Sequence, residues 1–179
     1  SEIADLGFKA IELNFSLDSK MVQEIRQYCL ENGITITSVH NYCPTPEEFP
    51  RQEAMPDCFS LSSLDEEERK KAVFFTSRTI KTAKKLGCRA VVLHSGRVEI
   101  DDHTRELIDL YNKGQSESNT FKSIFESFVT DRRKKASEYV DKVIKSYKEL
   151  LPVAEDNAIM LGVENRFYYR EIPFLLEFE

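Results

Sequence analysis

One junction occurs four times in this sequence and limits what the chain can fold into. A helix-like tail runs into Gly or Asn, and a short β-rich stretch follows. The four are Ala4-Asp5-Leu6-Gly7 before 8–13, Leu30-Glu31-Asn32-Gly33 before 34–40, Lys84-Lys85-Leu86-Gly87 before 90–94, and Ala154-Glu155-Asp156-Asn157 before 159–164. Gly and Asn tolerate the left-handed backbone that ends a helix. Each junction therefore predicts a helix stop, a brief turn and a strand start.

The intervening segments read as helices. Val22, Ile25 and Cys29 recur at helical spacing over 21–30. Ser63-Leu64-Asp65-Glu66 fits a capping box that opens a helix reaching about residue 86. Over 120–156, Phe121, Ile124, Phe125 and Phe128, then Tyr139, Val140, Val143, Ile144 and Tyr147, form an apolar stripe between charges. Pro152 is expected to break or kink that helix, and Pro173 suits the first turn of a last one. Helices alternating with strands imply parallel strands joined by crossovers, in a β/α barrel or an open doubly wound sheet. No GxGxxG or GxxxxGK[ST] follows a strand, which weakens the nucleotide-binding versions of the open sheet. The 179 residues suit one domain, 1–179. Ser1 opens inside a helix-like tail and Glu179 closes inside another, so the domain is expected to be truncated at both ends.

The strand ends carry the chemistry. Seven residues after Gly33 stands His40, seven after Gly87 stands His94, and seven after Asn157 stands Glu164. Gly7 leads in the same way to Asn14, with Glu12 just before it. Strand residues alternate between faces. That puts His40 with Ser38 and Ile36, His94 with Val92 and Ala90, Glu164 with Gly162, and Glu12 with Ala10. Val39, Val91, Leu93, Leu161, Val163, Ile11 and Leu13 take the opposite, apolar face. Two imidazoles and a carboxylate at matched strand ends are a candidate metal or acid/base constellation. The longer intervals after His40 and His94 place extra chain in βα loops, at the end where barrels bind substrate.

Other residues near these ends keep two readings. Arg97 and Arg166 offer forked hydrogen bonds to a phosphate, carboxylate or hydroxyls, or each makes a structural ion pair. Tyr42, Phe167, Tyr168 and Tyr169 stack on a sugar ring or floor the loops. Asn41 and Asn165 directly follow strand-end chemistry and join Glu12, Asn14, Arg97, Arg166 and Tyr169 as expected substrate-binding residues. His103 is expected at an exposed helix start. Arg132-Arg133-Lys134-Lys135 is expected to be a solvated helix face.

Composition sets outer limits. Hydrophobic residues make up 41% of the chain, enough for a core. No apolar run approaches the ~18 residues of a membrane span, and no secretory signal opens the chain. Lys and Arg number 25 against 31 Asp and Glu, a net charge of −6, which argues against a nucleic-acid-coating protein. Cys29, Cys43, Cys58 and Cys88 form no CxxC pair and read as reduced thiols of a cytoplasmic protein.

Four segments carry a family resemblance: Gly7-Phe8-Lys9-Ala10-Ile11-Glu12-Leu13, Ser38-Val39-His40-Asn41-Tyr42, Val92-Leu93-His94-Ser95-Gly96 and Gly162-Val163-Glu164-Asn165-Arg166. Together they resemble the second to fifth strands of the xylose-isomerase-like TIM barrels. The resemblance implies an α/β fold, a partial (β/α)8 barrel with about four parallel strands. It implies a divalent metal ion (Mn, Mg, Co or Zn), with remaining ligands outside this sequence. In the epimerase branch it makes Glu164 alone a metal ligand and acid/base group, acting on a small sugar-like substrate, with His40 and His94 as substrate-side residues or remnants. In the endonuclease IV-like branch it makes His40, His94 and Glu164 zinc ligands for phosphodiester hydrolysis. A non-catalytic, barrel-derived binding module is a third reading. A homo-oligomer or a completing chain is an expected partner, because an open half-barrel exposes two strand edges.

Overall fold

The computed structural model of the chain describes residues 2–164, 168–174 and 177–178. Strands β1 (Ala10–Leu13), β2 (Thr35–His40), β3 (Ala90–Leu93) and β4 (Met160–Val163) form one parallel sheet in the order β1-β2-β3-β4. Helices α1 (Glu2–Asp5), α2 (Ser19–Asn32), α3 (Glu66–Leu86), α4 (Thr104–Asn112) and α5 (Asn119–Asn157) alternate with them. A doubly wound sheet reverses its strand order at a switch point. This order runs in sequence without a reversal, as in a sector of a barrel. Among the described residues, no helix is long and apolar enough to cross a membrane.

The helix ends follow local chemistry. Asp18 accepts from the Met21 N–H to open α2, and Ser118 accepts from the Phe121 N–H to open α5. Gly33 and Gly87 end α2 and α3 in the left-handed region. Four expectations need correction. Helix α3 is capped by Asp65, which accepts from Glu67 N–H, while Ser63 Oγ donates to Glu68, five residues on. Helix α5 runs through Pro152 rather than breaking there. The left-handed residue after α5 is Ala158 (φ 55°), because Asn157 stays helical and donates its side chain to the Val153 carbonyl. The helix expected at Pro173 is not found among the described residues, which form turns and an isolated bridge there.

The core lies on one face of the sheet. Leu13, Ile36, Val39, Val91 and Leu93 are buried against Val22, Cys29, Ala72, Ile80, Ala83, Leu150 and Ala154 of the covering helices. Each such aliphatic side chain contributes about 1.5–3 kcal/mol by leaving water. On the other face Ala10, Glu12 and Met160 are exposed, and Ser38, Ala90 and Val92 are half-buried.

Strict alternation fails in β2. Ile11 pairs with Ile36, but Glu12 pairs with Ser38, so Thr37 is an extra residue. Its hydroxyl donates to the Ile11 carbonyl at 3.0 Å. The bulge corrects the expected parity: Ile36 packs in the core with Val39, while Ser38 stands opposite Glu12 on the open face.

Two buried arginines tie the periphery together. Arg69 of α3 is 1% exposed and donates to Ser146 and Glu149 of α5 and to Glu66 of its own helix. Arg132 of α5 is 4% exposed. It donates to the Tyr169 and Glu171 carbonyls and to Glu177, and lies over the Tyr169 and Phe174 rings. The basic run expected to be solvated is therefore exposed only at Arg133, Lys134 and Lys135.

Candidate metal centre

Three chain segments meet at the C-terminal edge of the sheet. His40 is the last residue of β2, His94 follows β3 directly, and Glu164 follows β4 directly. The strand register stacks them in layers. Glu12 is level with Ser38, and His40 is level with Val92. Val92 pairs with Gly162 and Leu93 with Val163, while the Glu164 N–H donates to the Leu93 carbonyl, so His94 and Glu164 form the uppermost layer.

One ligand atom from each of His40, His94 and Glu164 falls within 4.8 Å of the other two. The Nε2 atoms of His40 and His94 are 3.1 Å apart, with ring centroids at 5.1 Å. His40 Nδ1 faces Glu12 Oε1 at 3.3 Å, and Ser38 Oγ donates to Glu12 Oε2. Phe15 meets the His40 ring edge-on at 5.7 Å. His94 is buried, His40 half-buried and Glu164 exposed, so the cluster opens outward.

The donor set fits a divalent transition metal. Two imidazole nitrogens and a carboxylate are the usual ligands of catalytic zinc, and borderline metals such as manganese and cobalt accept the same set. Three protein ligands leave coordination positions for water or substrate. Two nitrogens bound to one tetrahedral cation at ~2.0–2.1 Å lie ~3.3 Å apart, close to the observed 3.1 Å.

The expected substrate-binding residues are distributed unevenly. Glu12 stands beside His40. Asn14 is exposed just past β1, its Oδ1 accepting from the Phe15 N–H. Asn41 is 1% exposed and donates from Nδ2 to Thr76 of α3. Arg97 pairs with Asp57 at 2.8 Å and Glu99 at 2.9 Å. Tyr169 packs on Phe128 and Phe174 and lines a separate apolar cavity of about 360 Å³ between α4 and α5. Asn165, Arg166 and Phe167 lie outside the described residues. Tyr42 is in the core, its hydroxyl donating to the Phe59 carbonyl, and burial pushes its pKa well up. His103 stands at the N-cap position of α4, where its side chain pairs with Glu106 and makes no capping hydrogen bond.

Two features were not read from the sequence. Ser38 supports Glu12, and the residue-by-residue alternation placing both on the open face would have shown it. Gly96, at φ 109°, lies so close to the Ser60 and Ser62 hydroxyls that a Cβ would collide with both. That close approach fixes the backbone just beyond His94, and a lone Gly in a loop gives no sign of it.

Comparison with known proteins bears on the fold. A family model described as xylose isomerase-like TIM barrel matches residues 1–171. No curated protein matches the chain significantly. A solved D-tagatose 3-epimerase-like protein superposes with a TM-score of 0.58 at 21% identity, over 92% of this chain and 46% of its own. An L-ribulose 3-epimerase gives 0.54 at 16%, over 93% and 43%. A 3-keto-D-glucoside 4-epimerase from E. coli gives 0.59 at 14%, over 93% and 50%. The chain thus spans half or less of the length of these structures, and at such identities the likeness is one of fold.

Proposed function

Because this chain belongs to the xylose isomerase-like TIM barrel family, we propose that His40, His94 and Glu164 are the metal-holding part of a sugar or sugar-phosphate isomerase or epimerase. The observation that carries this reading is the approach of the three ligand atoms to within 4.8 Å at the C-terminal strand ends, where barrels of this type do their chemistry. The solved structures of similar fold include an L-ribulose 3-epimerase and a D-tagatose 3-epimerase-like protein, which supports the choice of substrate class. A divalent ion held there would supply Lewis-acid polarisation of a substrate carbonyl and so acidify the neighbouring C–H.

The chain's own groups supply the rest. Glu164 is exposed at the open side of the cluster, so a carboxylate oxygen can accept a proton from a substrate carbon and return it. Asn14, at the end of β1, presents an amide toward substrate hydroxyls. The free cysteines suit a reducing, cytoplasmic compartment.

The experiment compares the full-length protein with its Glu164→Gln variant, reading divalent-metal affinity by calorimetry and turnover on a panel of ketoses. Loss of both supports the assignment. Wild-type values in both would remove Glu164 from the mechanism.

A second reading has its own support in the imidazole pair at 3.1 Å. Two histidines and a carboxylate also suit zinc-dependent phosphodiester hydrolysis. Incision of abasic-site duplex DNA by the zinc-loaded protein would transfer the assignment to that chemistry.

A further inference from the structure

We propose that Glu12 is a positioning residue for His40. It holds the imidazole in the tautomer that carries its proton on Nδ1 and presents the Nε2 lone pair to the cluster. The consequence for metal affinity rests on the metal reading given above, whereas the tautomer itself does not.

A neutral imidazole has one N–H and one lone pair, and the partner of one nitrogen decides the state of the other. An ionised carboxylate only accepts hydrogen bonds. Glu12 Oε1 lies 3.3 Å from His40 Nδ1, so Nδ1 is the donor. A proton on Nε2 would instead turn the Nδ1 lone pair against a carboxylate oxygen. Glu12 is itself held in place. Ser38 is its register partner on β2, and the Ser38 hydroxyl donates to Oε2, the oxygen that His40 does not use.

The remaining contact agrees with this polarity. With Nε2 of His40 as acceptor, the 3.1 Å approach of His94 Nε2 is an N–H donation from His94. Every hydrogen bond then has one donor and one acceptor: Ser38 gives to Glu12, His40 gives to Glu12, and His94 gives to His40. The opposite His40 tautomer would break the contact with Glu12, because an Nδ1 lone pair would then face the carboxylate. Glu12 therefore acts through His40 rather than on substrate. It works as the outer carboxylates of metal-bound histidines do, fixing ring orientation and raising ligand basicity. Because Thr37 is an extra residue, the bulge that takes it up keeps Ser38 and His40 on the face that carries Glu12.

The test starts with metal-free, ¹⁵N-labelled protein at pH 8. Long-range ¹H–¹⁵N correlation is expected to show a protonated Nδ1 and an unprotonated Nε2 for His40. Glu12→Ala is expected to move the proton to Nε2. Glu12→Gln, whose side-chain carbonyl still accepts from Nδ1, is expected to keep the wild-type pattern. Zinc affinity is expected to fall by roughly 10–100-fold in Glu12→Ala and to recover in large part in Glu12→Gln. Should Glu12→Ala not fold, Ser38→Ala provides the same readout through a loosened Glu12. A wild-type His40 protonated on Nε2, or a Glu12→Ala protein with unaltered tautomer and zinc affinity, would overturn the proposal. A tautomer that moves as expected in a protein that binds no metal would leave Glu12 its positioning role and sink the metal reading alone.

Discussion

His40 and His94 stand 54 residues apart in sequence, yet their Nε2 atoms lie 3.1 Å apart. Parallel pairing of β2 with β3 brings the two strand ends together, with the His94 ring one layer above the level of His40. Losing either imidazole removes one of three candidate ligands. His94→Ala and His40→Ala are each expected to lower zinc affinity by more than about 100-fold, beyond the effect of an outer-shell change. Competition against a chromophoric chelator measures this, and a change of only a few-fold would exclude that histidine as a ligand.

The bulge at Thr37 makes a separate prediction. Thr37→Val loses the hydrogen bond to the Ile11 carbonyl and is expected to cost about 1 kcal/mol in urea unfolding, with zinc affinity unchanged. Deleting Thr37 removes the extra residue and leaves Ile36, Ser38, Val39 and His40 in regular alternation. That variant is expected to keep its zinc affinity, because His40 retains its face.

Arg69 joins α3 to α5 from a buried position. Arg69→Ala leaves Glu66 and Glu149 without their shared cation and opens a void. The carboxylates are partly exposed, so solvent moderates the loss, and about 2–4 kcal/mol of destabilisation is expected. Equilibrium denaturation with circular dichroism reads it directly.

The thiols predict an alkaline limit. Burial pushes Cys43 up to about 12, with nearby Cys88 adding to the rise, and burial pushes Cys58 and Cys88 up to about 11. Between the ordinary thiol value and these, the unfolded chain has lost protons that the folded chain retains. The slope of stability against pH is then negative. Stability is expected to be flat below about pH 8 and to fall from pH 9 to 11, as ionisation favours the unfolded state. Urea midpoints across that range test this, and Cys43→Ala should flatten the decline.

Ala158 carries a left-handed backbone (φ 55°) at the end of α5. Its Cβ makes that conformation cost roughly 1 kcal/mol relative to Gly. Ala158→Gly is expected to raise the melting temperature, whereas Ala158→Val is expected to lower it.

Local order was legible in the chain because its causes are local. Gly33 and Gly87 ended helices where a left-handed residue was required, and apolar spacing marked α2, α3 and α5. Asp65 displaced Ser63 as a cap because Ser63 found a partner in Glu68, a choice that depends on how the preceding loop packs. Arg132 could not be told from Arg133 in a basic run, since only the chain around residues 169–177 turns one of them into a buried hub.

By itself the sequence determined which side chains end the strands and that the strands run parallel, because both follow from periodicity and helix termination. The equal spacing of His40 and His94 from their glycines did not mean equal height. His40 is level with Val92 and not with His94, an offset of two residues of which the bulge in β2 takes up one. Only the tertiary structure decided the register, the bulge and the pairing of His40 with Glu12. Each of these depends on hydrogen bonds between strands distant in sequence, whose alignment is set by which apolar residues the helices cover.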